Sequence, residues 1–459
     1  MNTHEDTASP IRQMRPLRFD NLLINFTTEF YRVWDTQGSR AKPAAIWRPT
    51  PVPDLLPGYF PLGDVIVADL DNINGAHVVA VVCEAEAGGT DPAQGKALSQ
   101  PVDYELIWSD SGTKSKKDGS LWRPVPPQGY VALGSVCSND HEKPSLNAIR
   151  CVRTDLVVVS SADELIWNDK GSGAKLSFSA WSITPPHAPA GEIHLAPGTF
   201  AGNDSYSRPE LGRPTYSLRV PIALQVSPQP TAPELTGELP ARQVEPAKLT
   251  HTARLPWFTV KDPLLSPLEQ LRHSPCYRLE RTDQYRLIGH GRNPDSQRRT
   301  FRWTAPRAQR AAHLKTLAGL TTVEFGQQWP TGAPTPLRFS ARLDEDFAQC
   351  GMQANEWFNE RPLEVVTLAA GKRSVAAYLV QSNYTLLRED GKPVADTVSY
   401  TDGNRLHLCE HSPEETAFTC PSTPATAGQP LIETPPAAEE PRIEPAPTPD
   451  VPDATDTAP

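Results

Sequence analysis

Short runs of alternating apolar and polar residues, broken by turn residues, recur along this chain. In a strand, successive side chains point to opposite faces, so a period of two packs one face inward and leaves the other wet. One such run contains Leu337, Phe339, Ala341 and Leu343. A longer β-compatible run covers residues 373–387 and ends at the turn formed by residues 389–392. These patterns predict strands separated by tight turns.

The N-terminal half contains an internal repeat of three copies. In each copy an apolar run ends in a tryptophan and a turn signal, and a second tryptophan follows 13, 14 or 14 residues later. The pairs are Trp34 with Trp47, Trp108 with Trp122, and Trp167 with Trp181. Each unit is predicted to be a small β-sheet that cannot bury its apolar face alone. Three units about a common axis would enclose one core lined by the paired tryptophans, which predicts a threefold pseudo-symmetric β-prism.

Two copies share a longer motif. Residues 122–136 read WRPVPPQGYVALGSV, and residues 47–65 contain WRP followed by GYFPLGDV. Over about residues 19–225 this pattern resembles the vacuolar protein sorting-associated protein 62 family, from which the third copy departs. Similar repeats occur in the adaptor-binding region of the large vacuolar-sorting lipid-transfer proteins. The resemblance implies a β-prism-like binding module, and the adaptor-binding analogy implies recognition of short proline-containing peptides.

Shifts in composition divide the chain into five segments, and the predicted class is all-β. They are a disordered N-terminus (1–18), the prism with its three repeats (19–226), a Pro-rich linker (227–254), a second β-rich domain (255–411) and a tail (412–459). The acidic, Pro-rich tail lacks the apolar side chains needed to offset its ordering entropy, so it is predicted to be disordered.

In the second domain, a Gly-Lys turn, a long strand and an Asp-Gly turn resemble the extended sheets of aerolysin-type pore-forming toxins.

The charge of the chain argues against a nucleic-acid partner. The formal net charge is -10, but residues 412–459 hold nine acids and one base, so the remaining body is close to -2. A nearly neutral body lacks the broad positive surface of a nucleic-acid binder.

The sequence contains no run of about 18 apolar residues that could span a bilayer. The first ten residues do not form a signal peptide. We therefore expect a protein that is cytoplasmic or exported without a signal peptide, with peripheral membrane association.

Motifs for catalysis are missing from the sequence. Neither Gly-x-Ser-x-Gly nor His-Glu-x-x-His occurs, so we expect a non-enzyme without catalytic or cofactor-binding residues. His407, Cys409 and His411 alternate and would share one strand face, but no second ligand pair accompanies them. They are therefore predicted to form a terminal strand, not a metal site.

Seven cysteines at irregular spacing favour a reducing compartment over a disulfide framework.

Asp35, Asp110 and Asp169 occupy equivalent positions before a glycine in the three copies. Aspartate at such a position forms turns by accepting hydrogen bonds from the backbone ahead of it. The turn role is favoured, and symmetric calcium or sugar ligation is the alternative.

The sharpest charge feature is the segment 286–315, which holds eight bases and one acid, Asp295. Arg298, Arg299, Arg302 and Trp303 are its candidate ligand or membrane contacts. Each base near an anionic lipid surface contributes about 1 kcal/mol. The alternative is a solvated face compensated by the acidic tail.

These observations predict a non-catalytic recognition protein whose prism binds a peptide, a glycan or a membrane component. The expected partners are a protein peptide, a glycan or an anionic membrane surface. The alternative is a secreted toxin-like protein, pore-forming or insecticidal, with the prism as its target-binding domain. The sequence does not determine the oligomeric state.

Overall fold

Strands form nearly all the regular structure in the computed structural model, which describes residues 15–51, 55–85, 95–209, 213–240, 245–306, 337–343 and 361–413. The predicted all-β class is confirmed. Residues 1–14 and 414–459, which include most of both predicted disordered ends, lie outside the described residues. Strand β1 (Leu17–Phe19) begins just inside the segment predicted to be disordered.

The described elements follow in chain order. The next twelve strands are β2 (Leu22–Thr27), β3 (Phe30–Asp35), β4 (Ala45–Pro49), β5 (Phe60–Pro61), β6 (Val65–Val67), β7 (Val79–Glu84), β8 (Leu98–Ser99), β9 (Asp103–Ser109), β10 (Ser120–Val125), β11 (Tyr130–Val131), β12 (Val136–Ser138) and β13 (Cys151–Arg153). They are followed by β14 (Val157–Asn168), β15 (Ser179–Thr184), β16 (Glu192–Leu195), β17 (Phe200–Asn203), β18 (Thr215–Pro221), β19 (Ala223–Val226), β20 (Lys248–Pro256), β21 (Cys276–Arg292), β22 (Arg299–Ala305), β23 (Phe339–Arg342), β24 (Leu363–Ala369), β25 (Ser374–Leu387) and β26 (Val398–His411). The helix α1 (Pro267–His273) and the 3-10 helices Thr154–Leu156 and Trp257–Thr259 are short.

Each sequence copy folds into a three-stranded sheet with the same strand order. The hairpins β3–β4, β9–β10 and β14–β15 carry the tryptophan pairs, and β6, β12 and β17 each add a third strand beside the second strand of a hairpin. In the third copy this unit continues through β18, β16 and β23 into a six-stranded sheet. The repeat therefore predicts the local sheets correctly. The prism symmetry about a threefold axis stays a prediction.

The tryptophans separate into two kinds of environment. Trp34, Trp108 and Trp167 meet edge to face in one buried cluster, with ring centroids 5.3–6.4 Å apart. Trp47 and Trp122 instead fill separate smaller clusters. The expectation of one core lined by all the pairs is therefore met only by the first tryptophan of each pair. The strand register explains the difference, because Trp34, Trp108 and Trp167 pair with the residue just before the second tryptophan, which therefore points to the opposite face of the sheet.

The second half of the chain forms a five-stranded sheet, β19-β20-β21-β25-β26, and a two-stranded sheet, β22-β24. The run predicted at 373–387 is β25, and the turn after it closes at Gly391, whose φ of 84° is left-handed. The segment 337–343 contains β23, which pairs with β16. It thus completes a sheet of the N-terminal half.

Both halves contribute to the largest hydrophobic core. Phe26 of β2 packs edge to face on Trp257 and Phe258, with centroids 5.5 and 5.6 Å away, and Phe258 packs on Phe339. The chain up to Pro413 accordingly clusters as one compact unit. The predicted boundaries at 226 and 255 stay predictions.

Part of the predicted linker is packed and regular. Strand β20 begins at Lys248, inside the range 227–254, and pairs with β19 and β21. Upstream, Leu235 is buried against Ala376 and Tyr378, and the carbonyl of Pro233 accepts a hydrogen bond from His407 at 2.9 Å. The buried Leu235 side chain and the Pro233 carbonyl therefore hold this Pro-rich segment on the sheet.

Candidate functional site

The three loops between the paired tryptophans, residues 36–44, 110–119 and 169–178, are joined to one another. Loop 110–119 donates from the Lys116 amide to the Gln37 carbonyl at 2.8 Å, and loop 169–178 donates from the Lys175 amide to the Ser111 carbonyl at 3.3 Å. The indole N–H of Trp167 closes the circle by donating to the Lys42 carbonyl at 3.0 Å. We call these loops the loop ring.

The repeated aspartates connect the loop ring to the buried tryptophan cluster through hydrogen bonds. Trp34 donates from its indole nitrogen to Asp110 at 3.1 Å, and Trp108 donates to Asp169 at 2.8 Å. Each of these two aspartates therefore binds the tryptophan of the preceding copy. Asp35 accepts from the Gln37 amide at 3.0 Å, as a turn former does. The predicted turn role thus fits Asp35, whereas the contacts of Asp110 and Asp169 between copies were missed, because they join residues more than 60 positions apart.

One group of potential metal ligands occurs among the residues that the structure describes. The ligand atoms of Asp110, Asp118 and His141 all lie within 4.8 Å of one another. Both oxygens of Asp110 already accept hydrogen bonds, from Trp34 and from His141 Nε2 at 2.8 Å. An aspartate–histidine hydrogen bond therefore accounts for this geometry.

His407, Cys409 and His411 lie on β26 as predicted, with their side chains half-buried. The nitrogen of His407 contacts the Pro233 carbonyl, and its ring lies 5.7 Å from Tyr285. The Cys409 thiol donates to the Ala376 carbonyl. These contacts give His407 and Cys409 a packing role on the sheet.

The predicted basic segment forms β22 and the residues before it, whereas its part from 307 to 315 lies outside the described residues. Trp303 and Phe301 stack on each other, with ring centroids 5.8 Å apart. A Cβ added to Gly289 would come within 2.2 Å of the Trp303 ring. Trp303 therefore packs closely over the glycine of β21 and is only half-exposed.

The opposite face of the β22–β24 sheet is exposed. Arg302 pairs with Val366, and Thr300 pairs with Leu368. Val366 and Leu368 are 50% and 51% exposed, so two large aliphatic side chains stand in solvent beside Arg302. We call this surface the outer sheet face.

The remaining predicted arginines lie at the start of β22. Arg298 and Arg299 are exposed, and the Arg299 guanidinium lies 5.6 Å from the centre of the Phe301 ring. Neither they nor Arg302 form an ion pair with a described residue. By contrast, Arg292 binds Glu238 at 2.6 Å. Arg302 therefore lies on the outer sheet face, Arg298 is an exposed charge just before β22, Arg299 lies on the side of Phe301, and Trp303 is a packing residue.

The aliphatic part of the outer sheet face was missed because β24 lies more than 50 residues after β22 in sequence. The β-branched run Val365, Val366 and Thr367 was the available signal. It predicts a strand but does not identify its partner. Among the described residues, no helix is long and apolar enough to cross a membrane.

The fold and the outer sheet face define a class: an all-β protein, built partly from a threefold sequence repeat, with an exposed surface that holds basic and aliphatic side chains. Residues 15–219 match the family model of vacuolar protein sorting-associated protein 62. This confirms the resemblance that residues 47–65 and 122–136 indicated. The match covers the repeat and leaves the second half of the chain outside it.

No curated protein matches the chain. Among solved structures, GNIP1Aa from Chromobacterium piscinae is similar at 26% identity and a TM-score of 0.35, over 44% of this chain and 37% of that one. The chain thus spans little more than a third of the length of GNIP1Aa. Cry35Ab1 is similar at 10% identity and a TM-score of 0.33, over 86% of this chain and 90% of that one. At these TM-scores neither structure defines a function for this chain.

Proposed function

We propose that this chain is a non-catalytic recognition protein that docks on anionic lipid surfaces through the outer sheet face. The observation that carries the proposal is the direct pairing of Arg302 with Val366, beside exposed Leu368, on one face of a two-stranded sheet. Exposed aliphatic side chains next to unpaired bases suit a lipid interface, since the headgroups attract the charge and the acyl boundary accepts the apolar groups.

The packing of Phe301 and Trp303 supports this proposal. Both rings face β21, so the outer sheet face is backed by a half-buried aromatic stack and does not lie on a free loop. Ala305 and Val365 continue the inner face into a core with Ala377 and Leu379. A surface that is already held in shape by packing on its other side loses little conformational entropy when it docks.

The test uses vesicles of phosphatidylcholine alone or with about 30% phosphatidylserine, and the Arg298→Glu, Arg302→Glu double variant. Losing two bases near the surface costs about 2 kcal/mol, so binding should weaken by roughly thirtyfold. A matched control is the Arg254→Glu, Arg272→Glu double variant, which makes the same charge change at exposed positions on β20 and α1. Equal weakening in both variants would reject the assigned surface.

The apolar half of the surface has its own test. Val366→Ser with Leu368→Ser keeps every charge, and it should weaken binding while preserving its salt dependence. Unchanged affinity would reject a contribution from these aliphatic side chains.

A toxin-like function is the second candidate. It rests on the three long neighbouring strands β21, β25 and β26, of 17, 14 and 14 residues. Dye-loaded vesicles distinguish the two functions, since peripheral docking leaves the dye inside and a pore-forming protein releases it. Binding without leakage supports the recognition protein.

A further inference from the structure

A second charged surface lies on the loop ring, in the half of the chain that carries the repeat. Each loop contributes two or three bases, and all of them are exposed: Arg40, Lys42, Lys114, Lys116, Lys117, Lys170 and Lys175. The loops touch one another, so bases spread over 136 positions of sequence share one end of the structure.

The bases are not neutralised by partners. None of the seven side chains forms an ion pair with a described residue, and Asp118 is the one exposed acid within the three loops. The buried aspartates Asp110 and Asp169 lie beneath and accept hydrogen bonds from the tryptophan cluster. Those inward contacts leave the outward charges of the ring free for a ligand.

The ring is also held in shape. A Cβ on Gly112 would come within 2.9 Å of the Gly173 carbonyl oxygen, so glycine is required where the second and third loops meet. The first and second loops meet where Gly38 approaches Lys116. Together with the hydrogen bonds between loops, these contacts fix the backbone from which the bases project, which lowers the ordering cost of binding.

From this arrangement we infer that the loop ring binds a compact ligand that carries several phosphate groups, such as a multiply phosphorylated inositol. A phosphomonoester carries about -1.5 to -2 charges at neutral pH, so roughly four groups match seven bases within a small area. Bases on three sides suit a compact ligand, whereas a linear sulfated glycan would follow a stripe and leave part of the ring unused. This site is separate from the outer sheet face and does not depend on the proposed docking function.

The test titrates inositol hexakisphosphate into the full chain by isothermal calorimetry at about 0.15 M salt. The probe should bind, and a triple variant with one change in each loop, Lys42→Glu, Lys116→Glu and Lys175→Glu, should weaken binding on the order of a hundredfold. The matched control is Arg298→Glu, Arg299→Glu and Arg302→Glu, which makes the same charge change on the other surface and should leave the affinity unchanged.

Single variants keep the inference testable if the triple variant does not fold. Lys42→Gln, Lys116→Gln and Lys175→Gln should each weaken binding about fivefold, because all three loops contact the ligand. A loss confined to one loop would overturn the ring as the site. Absence of binding by the unchanged protein to both the soluble probe and phosphoinositide vesicles, or equal losses in the control, would overturn the inference as well.

Two further binding experiments identify the chemistry of the ligand and show whether it is a lipid headgroup or a free phosphate compound. Vesicles containing phosphatidylinositol 4,5-bisphosphate, compared with phosphatidylserine vesicles of equal charge, test a lipid headgroup, and the soluble probe tests a free phosphate compound. Loop-dependent binding of either source supports the inference. A heparin tetrasaccharide that binds more tightly than inositol hexakisphosphate would overturn the phosphate assignment.

Discussion

At the scale of single residues, the indole N–H of Trp47 is buried without a hydrogen-bond partner among the described residues. In the second copy, Trp122 donates to the Ser120 hydroxyl at 2.8 Å, and the third copy repeats this bond. Ala45 stands where those copies have serine. A buried donor left unsatisfied costs about 1–3 kcal/mol.

Ala45→Ser should therefore stabilise the protein by about 1 kcal/mol, since it restores the acceptor that the other copies have. The free energy of unfolding, measured by urea titration, gives the result. Ala45→Val, which adds volume without a hydroxyl, is the control and should not stabilise. A serine variant no more stable than the unchanged protein would show that the three copies are not equivalent at this position.

Asp262 and Arg388 form a buried two-bond ion pair, with N–O distances of 2.6 and 2.7 Å. Burial alone would raise the pKa of Asp262, but Arg388, the Leu264 amide and the Tyr277 hydroxyl outweigh it and lower the pKa below the ordinary 3.8. Because the folded-state pKa is the lower one, the stabilisation is complete above the unfolded pKa of about 3.9. It is lost as the pH falls through the lowered folded pKa.

Asp262→Asn should cost about 3–5 kcal/mol near pH 7, because it leaves the Arg388 charge buried without its partner. The difference in unfolding free energy between the two proteins should shrink as the pH falls below about 4. Urea titrations between pH 7 and pH 3 measure it. A difference that stays constant over this range would contradict the role of the Asp262 carboxylate.

At the scale of elements, the sequence predicts strands better than it predicts what the strands face. Period-two patterns and turn residues identify β23 and β25, because these signals are local. Trp303 was grouped with the arginines around it, yet its ring packs on Gly289. The loop ring was also missed, because no single loop holds more than three bases. Aligning the three copies was the signal that could have found it.

The glycines of β21 are predicted to hold the β22–β24 sheet in place. In Gly289→Ala, the added Cβ would lie 2.2 Å from the Trp303 ring, so the ring must move and the sheet should loosen by about 1–3 kcal/mol. Unfolding titrations and tryptophan fluorescence report both effects. Gly237→Ala is the control, because a Cβ added there would have no atom within 4 Å. An unchanged fluorescence spectrum in Gly289→Ala would argue against this packing.

At the scale of the whole molecule, the repeat predicts a self-contained prism, whereas the largest core draws on both halves. Phe26 and Leu22 share that core with Trp257 and Phe339. The sequence could not indicate this, since nothing local marks which distant apolar residues meet. A fragment that ends at residue 226 should therefore unfold at a lower temperature than the full chain, or fold incompletely. Calorimetry gives the melting temperature of each protein. Equal melting temperatures would show that the prism folds independently of the second half.

The most direct test of the proposed docking function is co-sedimentation of the full chain with phosphatidylcholine vesicles, with and without about 30% phosphatidylserine, across a salt series. Raising the salt from about 0.1 to about 1 M shortens the Debye length from about 10 Å to about 3 Å. Binding should require the anionic lipid and fall steeply along this series, and it should be weakened by Arg298→Glu with Arg302→Glu. Equal binding to both vesicle types, or binding that ignores salt and this double variant, would contradict docking through the outer sheet face.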